Sequence, residues 1–118
     1  MAGYRDLKVW QAAMQLATEV YRLSAQFPKY ETYGLSSQIQ RSAVSVPSNI
    51  AEGHGRNSNK EFHHFLGMAL GSLSELETQI ILAQRLGYLT EEISSPALQT
   101  SSEVGKMLKG LQKSLTIN

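Results

Sequence analysis

The sequence "EFHH", Glu61 to His64, contains a Glu-x-x-His pair. On a helix that spacing places a carboxylate and an imidazole on one face, the unit from which di-iron sites in helical bundles are built. Such a site needs a second pair and two further inward glutamates, and this chain has only the one pair. Glu61 also completes "SNKE", Ser58 to Glu61, a capping box that starts a helix. Glu75 and Glu77 are two residues apart and so diverge by about 160° on a helix, which prevents a convergent acid–base pair. With no cysteine, thiolate nucleophiles, thiolate metal sites and disulfides are excluded. Neither a nucleophile elbow nor a phosphate-loop pattern occurs. These residues point away from catalysis and call for no cofactor or metal.

Binding chemistry is better represented. In "GHGRNSNK", Gly53 and Gly55 permit left-handed backbone geometry, and His54, Arg56 and Lys60 gather at the start of a helix. Exposed amides and a positive helix end suit a phosphate; the plainer reading is a helix stop, a turn and a cap. Lys106, Lys109 and Lys113, spaced three and four, form a basic stripe that reads either as a solvated face or as a nucleic-acid surface. Tyr30, Tyr33 and Tyr88 fall near loops without the spacing of a single-strand-binding module.

Two further patterns concern packing. Gln38, Arg41, Ser45, Ser48, Asn49 and Glu52 share a polar face of one segment. They read as a surface beside small packing residues, or as a polar network that sets register or lines a subunit interface. Arg41 and Glu52 are too far apart to pair and need partners elsewhere. Gly67, Gly71, Ser74 and Thr78 form a small-residue strip on another helix. Interior helical glycine costs about 1 kcal/mol against alanine, so the strip predicts close contact with a helix, inside a subunit or between subunits.

The elements that carry these residues are all helical. From Asp6 to Phe27 the apolar positions make two seams: Leu7, Trp10, Met14, Ala17, Tyr21, and Val9, Ala13, Leu16, Val20, Leu23, Phe27. Together they cover about 180°, wider than the ~100° stripe of an ordinary surface helix. One seam suits a core; the other needs a thick core or another subunit. Asp6 is the expected N-cap, and Pro28 closes the segment. A second helix starts near Ser36 and carries Leu35, Ile39, Ala43, Val46 and Ile50 on one face. Its apolar spacing continues across Pro47, which predicts a kinked helix rather than a loop, with Ser42, Ser45 and Ser48 bonding the carbonyls freed there. The third has the strongest periodicity, Phe62, Leu66, Ala69, Leu73, Leu76, Ile80 and Ala83, and Gly87 stops it. The last begins at Thr90 or Ser95, with Val104, Leu108, Leu111 and Leu115 as its seam. Helices over approximately 6–27, 36–53, 59–86 and 91–115, joined by short connections, predict an all-α, antiparallel up-down-up-down four-helix bundle occupying 1–118 as one domain.

Composition agrees with that frame. Eleven Lys and Arg against ten Asp and Glu give a net charge of +1, so no global field draws the chain to nucleic acid. At 18% charged residues the surface is weakly polar, which favours self-association. The first twenty residues lack the apolar core of a signal peptide, and no run is long enough to cross a bilayer; a cytoplasmic chain with no membrane partner is expected.

The pieces "DLKVWQ", "FPKYETYGLSSQIQRSAVSVPSNIAEGHGR" and "ALGSLSELETQ" give the sequence a close resemblance to the four-helix bundle family of 23S ribosomal RNA intervening-sequence proteins, over residues 4 to about 111. The resemblance implies a bundle that assembles into a barrel-like homopentamer. It also implies, for the accessory-protein branch found with diversity-generating retroelements, binding of RNA or DNA and of a reverse transcriptase through basic surface. This chain departs from that branch in being nearly neutral. The sequence therefore predicts a non-enzymatic homo-oligomeric scaffold, with a nucleic-acid-binding accessory protein as the alternative.

Overall fold

The computed structural model describes residues 3–117; of the expected 1–118 domain, Met1, Ala2 and Asn118 lie outside the described residues. Four helices make up the described chain: α1 (Lys8–Ser24), α2 (Leu35–His54), α3 (Asn59–Arg85) and α4 (Glu91–Ser114). Among the described residues there is no strand, and no helix is long and apolar enough to cross a membrane.

The apolar seams explain the arrangement. Val9, Ala13, Leu16, Val20 and Leu23 of α1 are buried with Ile39, Ala43, Val46 and Ile50 of α2. Leu66, Ala69, Leu73, Leu76, Ile80 and Ala83 of α3 and Val104 and Leu108 of α4 complete the same core. Each fully buried Leu or Ile contributes about 1.5–3 kcal/mol relative to exposure. Consecutive helices pack together, α4 returns to α1, and no close backbone approach links the diagonal pairs. Cross-helix bonds give the register of α3 and α4: Asn59 Nδ2 donates to the Thr116 carbonyl (3.0 Å), Gln112 Nε2 to the His63 carbonyl (3.2 Å), and Ser101 Oγ to Glu77 Oε2 (2.6 Å). Residue numbers rise along one helix as they fall along the other.

The helix ends show how local chemistry sets the boundaries. Asp6 does not cap α1. Residues Tyr4–Asp6 form their own 3-10 turn, so Leu7 takes the N-cap position without a side-chain bond. At the other end α1 stops at Ser24, three residues before Phe27. The chain tightens through Gln26 N–H to Leu23 and Phe27 N–H to Ser24, and Pro28 heads a second 3-10 turn, Lys29–Glu31. Ser58 caps α3 by accepting the Glu61 amide at 3.2 Å, one arm of the expected capping box. Gly87, at φ 80°, ends α3 with Tyr88 N–H on the Ala83 carbonyl and Gly87 N–H on that of Gln84, a Schellman closure. Thr90 caps α4.

Pro47 lies buried inside an unbroken α2. Ser45 Oγ bonds the Arg41 carbonyl and Asn49 Nδ2 the Ser45 carbonyl, each at 2.8 Å. Neither reaches the Ala43 carbonyl, whose usual donor the proline removes.

Among the glycines, the one held most closely against another helix is Gly53. A Cβ there would lie 2.5 Å from Phe65 Cβ and 3.1 Å from Phe62 Cδ1. Gly53→Ala should therefore destabilise the fold by about 1–3 kcal/mol despite the better helix propensity of alanine. Gly110→Ala, with open space around the new Cβ, should be neutral or stabilising by up to about 1 kcal/mol. Urea unfolding of both variants checks the contrast; equal stability for Gly53→Ala and the wild type would show that the contact tolerates a methyl group.

Candidate functional site

The α1 seam of Leu7, Trp10, Met14, Ala17 and Tyr21 stays mostly outside the core: Ala17 is its one buried member, and Leu7 and Trp10 pack against the edge. Trp10, Met14 and Tyr21 line a groove of about 540 Å³ against Val44, Pro47 and Ala51 of α2. Met14, Tyr21 and Val44 remain 42%, 46% and 43% exposed, so the groove keeps an open apolar rim. At its closed end Tyr4 packs edge-on to Trp10 with 5.3 Å between ring centres. Toward the start of α2 the surface becomes polar, with Tyr21 and Val44 meeting Ser37, Gln40 and Arg41.

The polar stripe of α2 does not form one network. Ser45 and Asn49 bond their own helix backbone. Glu52 needs no partner on another helix: Arg56 Nη2 lies 2.6 Å from Glu52 Oε2, one turn on. Gln38 and Arg41 are exposed and face Glu75 and Gln79 of α3 across a shallow groove.

At the α2–α3 turn the glycines do not supply left-handed backbone. Gly55 has φ −79°, and Gly87 is the one glycine with positive φ among the described residues. Gly53 serves steric approach, as above. Arg56, paired with Glu52, also stacks 4.8 Å above the Phe65 ring, and His54 packs edge-on to Phe62. Of the three expected phosphate contacts, Arg56 thus has its charge matched and His54 has a packing role. Lys60 is exposed.

Lys106, Lys109 and Lys113 are all exposed on α4, and among the described residues Arg56–Glu52 is the one ion pair. Lys106 and Lys109 border a groove with Ser74 and Glu77 of α3, where Glu77 accepts the bond from buried Ser101. The small-residue strip is also outward. Gly67, Gly71, Ser74 and Thr78 are exposed, a Cβ at Gly71 would meet nothing within 4 Å, and one at Gly67 only Gln112 Nε2 at 3.5 Å. The close contact expected inside a subunit is therefore absent there. It occurs instead at Gly53 and at Gly105, whose Cβ would sit 3.3 Å from Leu73 Cδ2.

One cluster was not legible as such. Glu31 Oε1 accepts the Leu35 amide (3.0 Å), Glu31 Oε2 accepts Tyr88 Oη (2.8 Å), and the Tyr30 and Tyr88 hydroxyls meet at 3.1 Å. Because Tyr88 spends its proton on Glu31, Tyr30 is the donor between the tyrosines. The Leu35 amide, then Tyr88, hold the Glu31 carboxyl below its ordinary range; Tyr30, then Glu31, push the Tyr88 hydroxyl up. The glutamate in "KYETYG" was visible, but its partner lies 57 residues away.

The model of the 23S rRNA-intervening sequence protein family matches residues 5–110. The chain belongs to this family. Among solved structures it is similar to a protein of unknown function from the S23 ribosomal protein family of Bacteroides thetaiotaomicron. That pair shares 27% identity over 90% of this chain and 99% of the other, with a TM-score of 0.83. No curated protein matches the chain. Neither the intervening-sequence family nor this neighbour indicates an enzymatic activity. Among the described residues no group of three or more His, Asp or Glu is placed to hold a metal ion, and Glu61 and His64 are both exposed.

For this intervening-sequence protein the small-residue strip makes a separable prediction. In an isolated chain Gly71→Ala should stabilise α3 by up to about 1 kcal/mol, because the new methyl meets open space. Thermal unfolding alongside light scattering checks it. Loss of stability together with a smaller particle would place Gly71 in a subunit contact.

Proposed function

We propose that the chain is an up-down-up-down helical bundle that self-associates and acts as a non-enzymatic cytoplasmic scaffold, a pentamer by its resemblance to the family. The observation that carries this reading is the half-exposed apolar rim of the α1–α2 groove, Met14, Tyr21 and Val44. The opposed numbering across α3 and α4 supports the bundle topology. Surface area supports association. The lone chain exposes 7217 Å², against about 6,300 Å² for a typical monomer of its mass. An elongated shape, 47 × 25 × 25 Å, accounts for some of the excess; the apolar character of the rim favours burial by another copy.

Light scattering on the purified chain tests this directly. A pentamer would weigh about 65 kDa, five times 13.0 kDa. Met14→Glu and Val44→Glu should each reduce the assembly while leaving the helical circular dichroism intact, since both side chains are already partly in water. A wild-type monomer at micromolar concentration would sink the proposal.

The second reading is nucleic-acid binding through Lys106, Lys109 and Lys113, supported by their exposure and, among the described residues, their lack of carboxylate partners. Repetition around an oligomer would multiply a stripe too small to act alone, and a reverse transcriptase is the protein partner this reading takes from the resemblance. Affinity for RNA or DNA should then fall steeply with salt, with a log–log slope of roughly −0.9 per duplex phosphate contacted. Lys109→Glu should flatten the slope, and Arg56→Glu should do less because Glu52 already neutralises Arg56. Absence of binding at low salt would remove the reading.

A further inference from the structure

The Glu31 carboxylate joins three parts of the chain that meet at one end of the bundle. It closes the first turn of α2 through the Leu35 amide, holds the α3–α4 connection through Tyr88, and through Tyr88 reaches Tyr30 in its own loop. The loop is fitted around it. A Cβ on Gly34 would come within 2.6 Å of Glu31 Oε1, so the carboxylate sits where a side chain would otherwise be. Phe27 stacks on the Tyr88 ring at 5.5 Å and is itself buried, which ties the end of the first helical segment to the same cluster. Beyond this cluster the loop offers little anchorage: Tyr30 and Tyr33 are 78% and 97% exposed.

We propose that Glu31 is an acid-labile latch: ionised, it locks the loop 25–34 and the first turn of α2 onto the α3–α4 connection, and protonated it releases them as a local unit while the core stays folded. An ionised carboxylate accepts both bonds as charge-assisted ones, whereas the neutral carboxyl group accepts more weakly and carries a proton on one of the two oxygens that now receive them. The groups that face it are the Leu35 N–H of α2, the Tyr88 hydroxyl of the α3–α4 connection and, one step removed, Tyr30 of its own loop; exposed Lys29 is its near neighbour in sequence. Both hydrogen bonds lower the Glu31 carboxyl. A group lowered in the folded state stabilises above its unfolded value and loses that contribution as pH falls through its folded value. The latch is therefore closed near neutrality and opens in acid, below the ordinary carboxylate range.

The test is a nuclear magnetic resonance titration of the full chain in its own assembly state, from neutral pH into acid. The Glu31 carboxyl carbon, the Leu35 amide and the Tyr88 ring should move with one midpoint, below the usual glutamate value. Through that midpoint, protection of the Leu35 amide from exchange should fall at least about tenfold, and that of Ile80 in α3 should hold. Tyr88→Phe should raise the Glu31 midpoint while the Leu35 amide still follows it. Glu31→Ala should leave the Leu35 amide poorly protected already at neutral pH. The latch is overturned if the Leu35 amide ignores the Glu31 titration, if Leu35 and Ile80 lose protection together, or if Tyr88→Phe leaves the midpoint in place.

Discussion

Phe65 occupies the space that a side chain at position 53 would need, and much of the architecture depends on that substitution of one residue's volume for another's. It lets the end of α2 run directly against the beginning of α3. The turn between them is only four residues, Gly55 to Ser58, so the α2 and α3 seams enter the same core already in register. Once Ile50 and Leu66 are buried together, both fully enclosed, the α2–α3 hairpin presents a continuous apolar wall on which α1 and α4 can close. Arg56 follows from the same contact. Its guanidinium covers the outer face of Phe65 while pairing with Glu52, so a residue that looks like a phosphate ligand in the sequence is part of the hairpin's outer seal.

The helical seams were readable because each repeats a spacing of three and four over many residues, and every member of the α2 seam and the second α1 seam is buried. Caps with a local signature were equally readable, such as Ser58 with Glu61, or Gly87 with its positive φ. Legibility failed where a contact joins residues distant in sequence. Nothing around Ser101 announces that it is completely buried and bonded to Glu77, 24 residues earlier. Nothing around Glu31 names Tyr88. Glycine misled for a related reason. The sequence shows that a side chain is missing, but not whether its absence serves backbone conformation, close approach or neither. Gly87, Gly53 and Gly71 illustrate the three cases in turn.

The candidate surfaces divide along similar lines. The Lys106–Lys113 stripe could be placed on one face from spacing alone, and exposure agrees. The phosphate-site reading of "GHGRNSNK" required free cations and left-handed glycines, and the turn holds Arg56 paired and Gly55 in right-handed backbone. Charge that looks available in a sequence can be consumed one helical turn away, at a distance of 2.6 Å.

The double seam of α1 sets apolar side chains outside the core as well as within it. A helix in a ring of four touches two neighbours, and the core claims only the stripe between them. Trp10, Met14 and Tyr21 lie to one side of that stripe, over the α2 boundary. Pro47 makes the boundary more apolar still, since it places a ring there and offers no amide to water or to a polar partner. Burying Met14, Tyr21 and Val44 more deeply within one chain would need a fifth helix across the groove. Among the described residues no fifth helix exists, whereas a second copy brings apolar surface of matching chemistry without any new sequence. The proposed self-association would cover this apolar rim, which the four helices leave outside the core that they bury.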